Sequence, residues 1–136
     1  MQKSRLLIAV VFLLGLVLAA CAPANSLDGT VWVLTELGGQ PALDDAIVTL
    51  IISKDEIGGI DGCNHYSAEA TVGNGIFELN SPITSTLMAC EQPIMDQASL
   101  FALALDEAAG YRLLDEQLVL LDADGGTLAL FEAQNG

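Results

Sequence analysis

The chain has 136 residues, one domain's worth, with 52% apolar content and 18 acidic residues against four basic ones, for a formal charge of −14. That apolar content excludes disorder for most of the chain, because enough surface is available to bury a core. The acidity excludes nucleic acid and anionic lipid head groups as electrostatic partners, since affinity for them comes from Lys and Arg neutralising phosphates.

Residues 1–20 differ from the rest. They carry Lys3 and Arg5 and none of the 18 acidic residues. Leu6 to Ala20 is an apolar run broken only by Gly15; as a helix it spans about 22 Å, short of the ~30 Å hydrocarbon thickness, so it reads as the core of a secretory signal peptide. Leu18-Ala19-Ala20-Cys21 resembles the bacterial lipobox. That resemblance implies cleavage before Cys21 and its acylation, with chains such as palmitate; the alternative is an ordinary signal peptide with a chance cysteine. Two or more acyl chains hold a protein stably on a membrane where one does not. The expected layout is a lipoprotein signal peptide at 1–20, lipidated Cys21 and a tether at 21–26, and one domain at 27–133. The expected location is the cell envelope, anchored on the extracytoplasmic side. Only Lys54 and Arg112 then face 18 acids, for a net charge of −16.

In the domain, Thr30 to Leu37 and Ile47 to Lys54 are β-branched and apolar-rich and predict strands, with a turn at Gly38-Gly39-Gln40-Pro41 between them. Gly58-Gly59 and Asp61-Gly62 punctuate next. Asn64 to Val72 and Gly75 to Leu79 predict a hairpin about a glycine-rich turn, and Ile83 to Met88 a further extended stretch. Ile94, Ala98, Phe101, Leu105 and Ala108 form the stripe of an amphipathic helix at about residues 93–109, with Pro93 in its first turn and Gly110 as its cap. Leu100 and Leu103 widen the apolar face, which predicts a helix well buried against a sheet. Tyr111 to Leu114, Gln117 to Leu121 and Thr127 to Phe131 predict the last strands. The expected fold class is α+β: a single domain in which a curved antiparallel sheet of short strands packs on one main helix.

Three cysteines leave an odd one in an exported chain. Assigning Cys21 to lipid leaves Cys63 and Cys90, for which export favours a disulfide and two buried thiols are the alternative. Neither has a CxxC partner, and the single histidine, His65, reads better as a solvent-facing strand residue than as a ligand, so no metal is expected. Asp122-x-Asp124 has Thr127 and Ala133 where a calcium loop needs Gly and Glu, so it reads as a hairpin turn. Gly58-Gly59 precedes no Lys-Ser/Thr and opens no helix, hence no phosphate cradle. No nucleophile elbow brings Ser, Asp and His65 together. Trp32, inside a strand, reads as core. No cofactor is expected and no catalytic residues are assigned.

Leu27-Asp28-Gly29-Thr30-Val31-Trp32-Val33-Leu34, Gly62-Cys63-Asn64 and Thr86-Leu87-Met88-Ala89-Cys90 together resemble the L-x-G-T-x-W-x-L, G-C-N and T-x-M-A-C signatures of the META domain, or HslJ-like, family. The resemblance spans about residues 27–132. It departs at Ala98, where the family often has Glu, and at Glu69-Ala70, near which an aromatic residue is common. It implies a helix on a strongly curved antiparallel sheet, an envelope location, and association with stress or antibiotic tolerance without an agreed catalytic activity. It also implies a Cys63–Cys90 disulfide. The expected function is a non-enzymatic binding or stress module that is membrane-anchored through Cys21. Its acidic face would select a basic envelope protein or cationic peptide. The rival is a small redox or hydrolytic enzyme using Cys63 and Cys90.

Overall fold

Burial alternates along β1 (Val31–Leu37), with Trp32 and Leu34 inward and Val33 and Thr35 half-exposed, the period of a strand with one face on a core. The computed structural model describes residues 27–134; the leader, Cys21 and the tether lie outside them. After β1 come β2 (Gln40–Pro41), β3 (Thr49–Ser53), β4 (Glu56–Ile60), β5 (His65–Gly73), β6 (Ile76–Leu79) and β7 (Thr84–Ser85). A single helix, α1 (Gln92–Glu107), precedes β8 (Gly110–Leu114), β9 (Gln117–Leu121) and β10 (Thr127–Ala133).

Pairing runs β1-β3-β4-β5-β6-β8-β9-β10, antiparallel throughout, and β10 returns to β1 from Trp32–Ala133 to Leu37–Ala129. The result is a closed eight-stranded barrel, with β2 and β7 as short additions to β1 and β5. The expected α+β sheet packed on one main helix is therefore overturned: the antiparallel pairing holds, but the sheet closes on itself and the architecture is mostly β. Closure removes the two edges that an open sheet would leave unpaired. A 16-residue helix is only about 24 Å long and could not cover so many strands; it covers one mouth of the barrel instead.

Two glycines pack backbone against backbone where the local sequence predicts a turn and a helix cap. Gly59 was expected to punctuate, yet it lies inside β4 directly across from Tyr66. A Cβ there would run into the Thr49 carbonyl, and the bare backbone lets the Tyr66 hydroxyl pass over to donate to that same carbonyl at 2.8 Å. Gly110, expected as the helix cap, instead opens β8, where its Cα comes so close to β6 that a Cβ would lie 2.9 Å from the Gly75 carbonyl oxygen. The helix ends without it, at Glu107, with Ala108 already extended. Of the stretch expected from Ile83 to Met88, only Thr84–Ser85 is strand. The β5–β6 hairpin is as expected, turning through Asn74 and Gly75, both at positive φ (54° and 80°), as a type I′ turn requires.

The barrel interior is filled by side chains. Trp32, Phe77, Phe131, Leu50, Ile57, Leu118 and Leu120 are fully buried there, and Ala68, Ala70 and Ala129 leave room for them. Phe101 and Leu105 enter from α1. Trp32 is core, as its strand position suggested, and its indole N–H has no hydrogen-bond partner among the described residues.

Candidate functional site at the helix-capped mouth

Phe101 holds the helix in the mouth. It is 1% exposed and meets Tyr66 and Phe131 edge-on, with ring centroids 5.5 and 6.2 Å apart. Buried Gln97 ties the rim to the helix, accepting from the Leu43 N–H at 2.8 Å and donating to the Ala46 carbonyl at 3.2 Å. Of the other stripe residues, Ala98, Leu105 and Ala108 are buried, whereas Ile94 in the first turn is only half-buried. Leu100 and Leu103 are not. They are 58% and 50% exposed, contrary to the expectation that they pack on a sheet, because the mouth is narrower than a sheet face and touches only one side of α1.

The signature segments meet at the rim. Asp61 opens the β4–β5 turn by accepting from the Cys63 and Asn64 backbone N–H groups at 2.9 and 2.6 Å. Asn64, buried, then behaves like one more strand residue. Its Oδ1 accepts from the Met88 N–H at 2.7 Å and the Thr86 hydroxyl at 2.9 Å, and its Nδ2 donates to the Met88 carbonyl at 3.4 Å. Beside it Cys63 and Cys90 form a disulfide with Cα atoms 6.0 Å apart. The G-C-N and T-x-M-A-C segments are thus two halves of one clamp. Asn64→Ala should cost about 1–3 kcal/mol, because the Met88 N–H loses a buried acceptor; a urea midpoint equal to the wild type's would show the clamp to be idle.

Two concavities flank the helix. On the signature side a cavity of about 270 Å³ is lined by Asp61, Asn64, Tyr66, Met95, Ala98 and Phe101, among others. On the other side a groove of about 300 Å³ lies between α1 and the β1–β10 rim, lined by Leu37, Leu128, Leu100, Leu103, Ala104 and Glu107. Burial, helped by the nearby Asp61 charge, pushes the Tyr66 hydroxyl far above its ordinary pKa, so it stays a protonated donor to Thr49.

His65 is exposed at the start of β5. Asp122 accepts from the Asp124 and Gly126 N–H groups at 2.9 and 2.8 Å, which makes the Asp122-x-Asp124 segment the β9–β10 hairpin turn. Among the described residues no group of three or more His, Cys, Asp and Glu side chains could hold a metal ion, and no helix is long and apolar enough to cross a membrane. Cys21 lies outside the described residues. Sequence reasoning missed the groove beside Leu100 and Leu103; the available signal was the set of acidic residues at helical spacing around them.

These features define a class: a small closed β-barrel with a helix across one mouth and a disulfide-tied turn on its rim. The META domain family model matches residues 25–135, and the chain belongs to that family. Among solved structures it is similar to an NMR structure of a protein from Burkholderia xenovorans, 24% identical with a TM-score of 0.63 over 81% of this chain and 85% of that one. A second NMR structure is also 24% identical, with a TM-score of 0.61 over 77% of this chain and 89% of that one. At this identity the likeness is one of fold. No curated protein matches the chain.

Proposed function

We propose that this chain is a non-catalytic binding module, anchored on the extracytoplasmic side of a membrane through acylated Cys21, that engages a basic envelope protein or cationic peptide at its helix-capped mouth. Envelope stress or antibiotic tolerance is the setting that the family suggests. The observation that carries the reading is where the charges lie. Asp44, Asp45, Asp61, Glu91, Asp96, Asp106 and Glu107 belong to α1 and the rim segments beside it, which contain no Lys or Arg. The two cations of the described residues are elsewhere: Lys54 in the β3–β4 turn and Arg112 within β8. An uncompensated acidic face steers basic partners and repels acidic ones.

Orientation supports the same reading. Leu37, at one end of β1, lines the groove beside α1, while Asp28 bridges to Ile52 at the other, about 20 Å away along the strand. A chain tethered ahead of Leu27 would therefore present its mouth away from the membrane.

The test has two arms. The mature N-terminus should carry the mass of acylated Cys21, and Cys21→Ser should leave an unlipidated precursor; an unmodified N-terminus at Ala22 or later contradicts the anchor. A Lys-rich peptide should bind with an affinity that falls as salt rises, whereas no binding, or binding indifferent to salt, contradicts the cationic partner.

A further inference from the structure

We infer that the groove between α1 and the β1–β10 rim is the docking surface, and that its occupant is an amphipathic cationic peptide segment that sets apolar side chains on Leu100 and Leu103 and its Lys or Arg beside Asp106 and Glu107. The inference rests on the cationic-partner reading above and narrows it to one face and one kind of peptide.

Leu100 and Leu103 are three residues apart on α1, so they are surface neighbours, and both are at least half exposed, at 58% and 50%. They are not scattered apolar residues: Leu37 and Leu128 continue the same apolar surface across the groove. Carboxylates bracket it along the helix. Asp96 stands four residues before Leu100, and Asp106 and Glu107 stand three and four after Leu103, all exposed and all on the leucines' side by helical spacing. The last two sit where they oppose the helix macrodipole, whose C-terminal end is already negative, and the last turn contains no basic residue. The fold gains nothing from that placement, and a docked cation would meet two carboxylates and the terminal carbonyls together. An amphipathic segment in a groove is an established recognition mode whose anchors follow helical spacing.

A second copy of this chain fits poorly. Two such faces would set carboxylates against carboxylates, Asp106 and Glu107 meeting their counterparts in a parallel pairing of the helices and Asp96 in an antiparallel one, on chains that each carry 18 acidic residues.

The experiment uses the mature chain as cells process it, in non-ionic detergent, with protein-free micelles as the blank. The probes are a helical Lys/Leu peptide with leucines on one face, a Lys/Ser peptide of equal charge, and a Glu/Leu peptide of equal apolar spacing. The Lys/Leu peptide should bind at least about tenfold more tightly than the Lys/Ser peptide, and the Glu/Leu peptide should not bind. Leu100→Ser with Leu103→Ser should weaken the Lys/Leu peptide by about tenfold or more, and both leucines are exposed enough for the fold to survive. Asp106→Asn with Glu107→Gln should flatten its salt dependence. Leu87→Ser, at a residue 98% exposed on the other side of the helix, should change nothing.

If Lys/Leu and Lys/Ser bind equally, or if the double leucine variant binds like wild type, the groove is overturned while the cationic-partner reading stands. If neither lysine peptide binds, both fall. A concentration-dependent dimer that the double leucine variant abolishes would make a second copy the occupant and overturn the peptide.

Discussion

Phe101→Ala is expected to destabilise the domain by about 3–5 kcal/mol, a large fraction of the 5–15 kcal/mol that a domain typically has. The ring is 1% exposed, and its removal takes away buried apolar volume and two edge-to-face contacts, with Tyr66 and Phe131, each worth about 0.5–1.5 kcal/mol beyond burial. The barrel wall is hydrogen-bonded around its whole circumference and should not collapse into the space, so the cavity term should be felt in full. Leu100→Ala, on the same helix but 58% exposed, should stay within about 0.5 kcal/mol of wild type. Urea unfolding of both variants, with the slope monitored, reads the difference directly. Equal midpoints would mean that α1 does not plug the mouth.

The sequence made the strands legible and the closure illegible. Gln117–Leu121 is a strand with the predicted bounds, and β1, β3, β5, β6, β8 and β10 fall within a few residues of theirs, because period-two burial and turn residues are local signals. β4 was missed because Gly58 and Gly59 look like a turn; their role, to let Tyr66 reach across to Thr49, depends on neighbouring strands that no local window contains. The pairing of β10 with β1 joins Leu37 to Ala129, and such a long-range contact leaves no periodic mark. The inward stripe of α1 was readable at Ala98, Phe101 and Leu105. Leu100 and Leu103 were misassigned because composition marks them as apolar without saying how wide the surface opposite is. At the rim, Cys63 and Cys90 could be paired by resemblance, whereas the amide clamp from Asn64 to Met88 required coordinates.

Replacing Cys63 or Cys90 by Ser is expected to cost about 2–5 kcal/mol, and replacing both should cost little more than replacing one. The two lie 27 positions apart, and in the chain-entropy model closing a loop of that length restricts the unfolded chain by about 3.6 kcal/mol. In the native state the bond ties the β4–β5 turn to the segment entering α1, so it also fixes where the helix begins over the mouth. Asn64 bridges the same two segments through Met88, and this second tie should keep the double variant folded with its rim in place. Adding reductant should bring the wild-type midpoint down to the double variant's and leave the latter unmoved. Single variants should also form cross-linked dimers through the remaining thiol, visible on a non-reducing gel. Because the groove at Leu100 and Leu103 lies on the other side of α1 from this clamp, the double variant should bind the Lys/Leu peptide like wild type once folded. A double variant as stable as wild type yet unable to bind would mean that the sulfurs take part in the function, and the redox reading would replace the structural one.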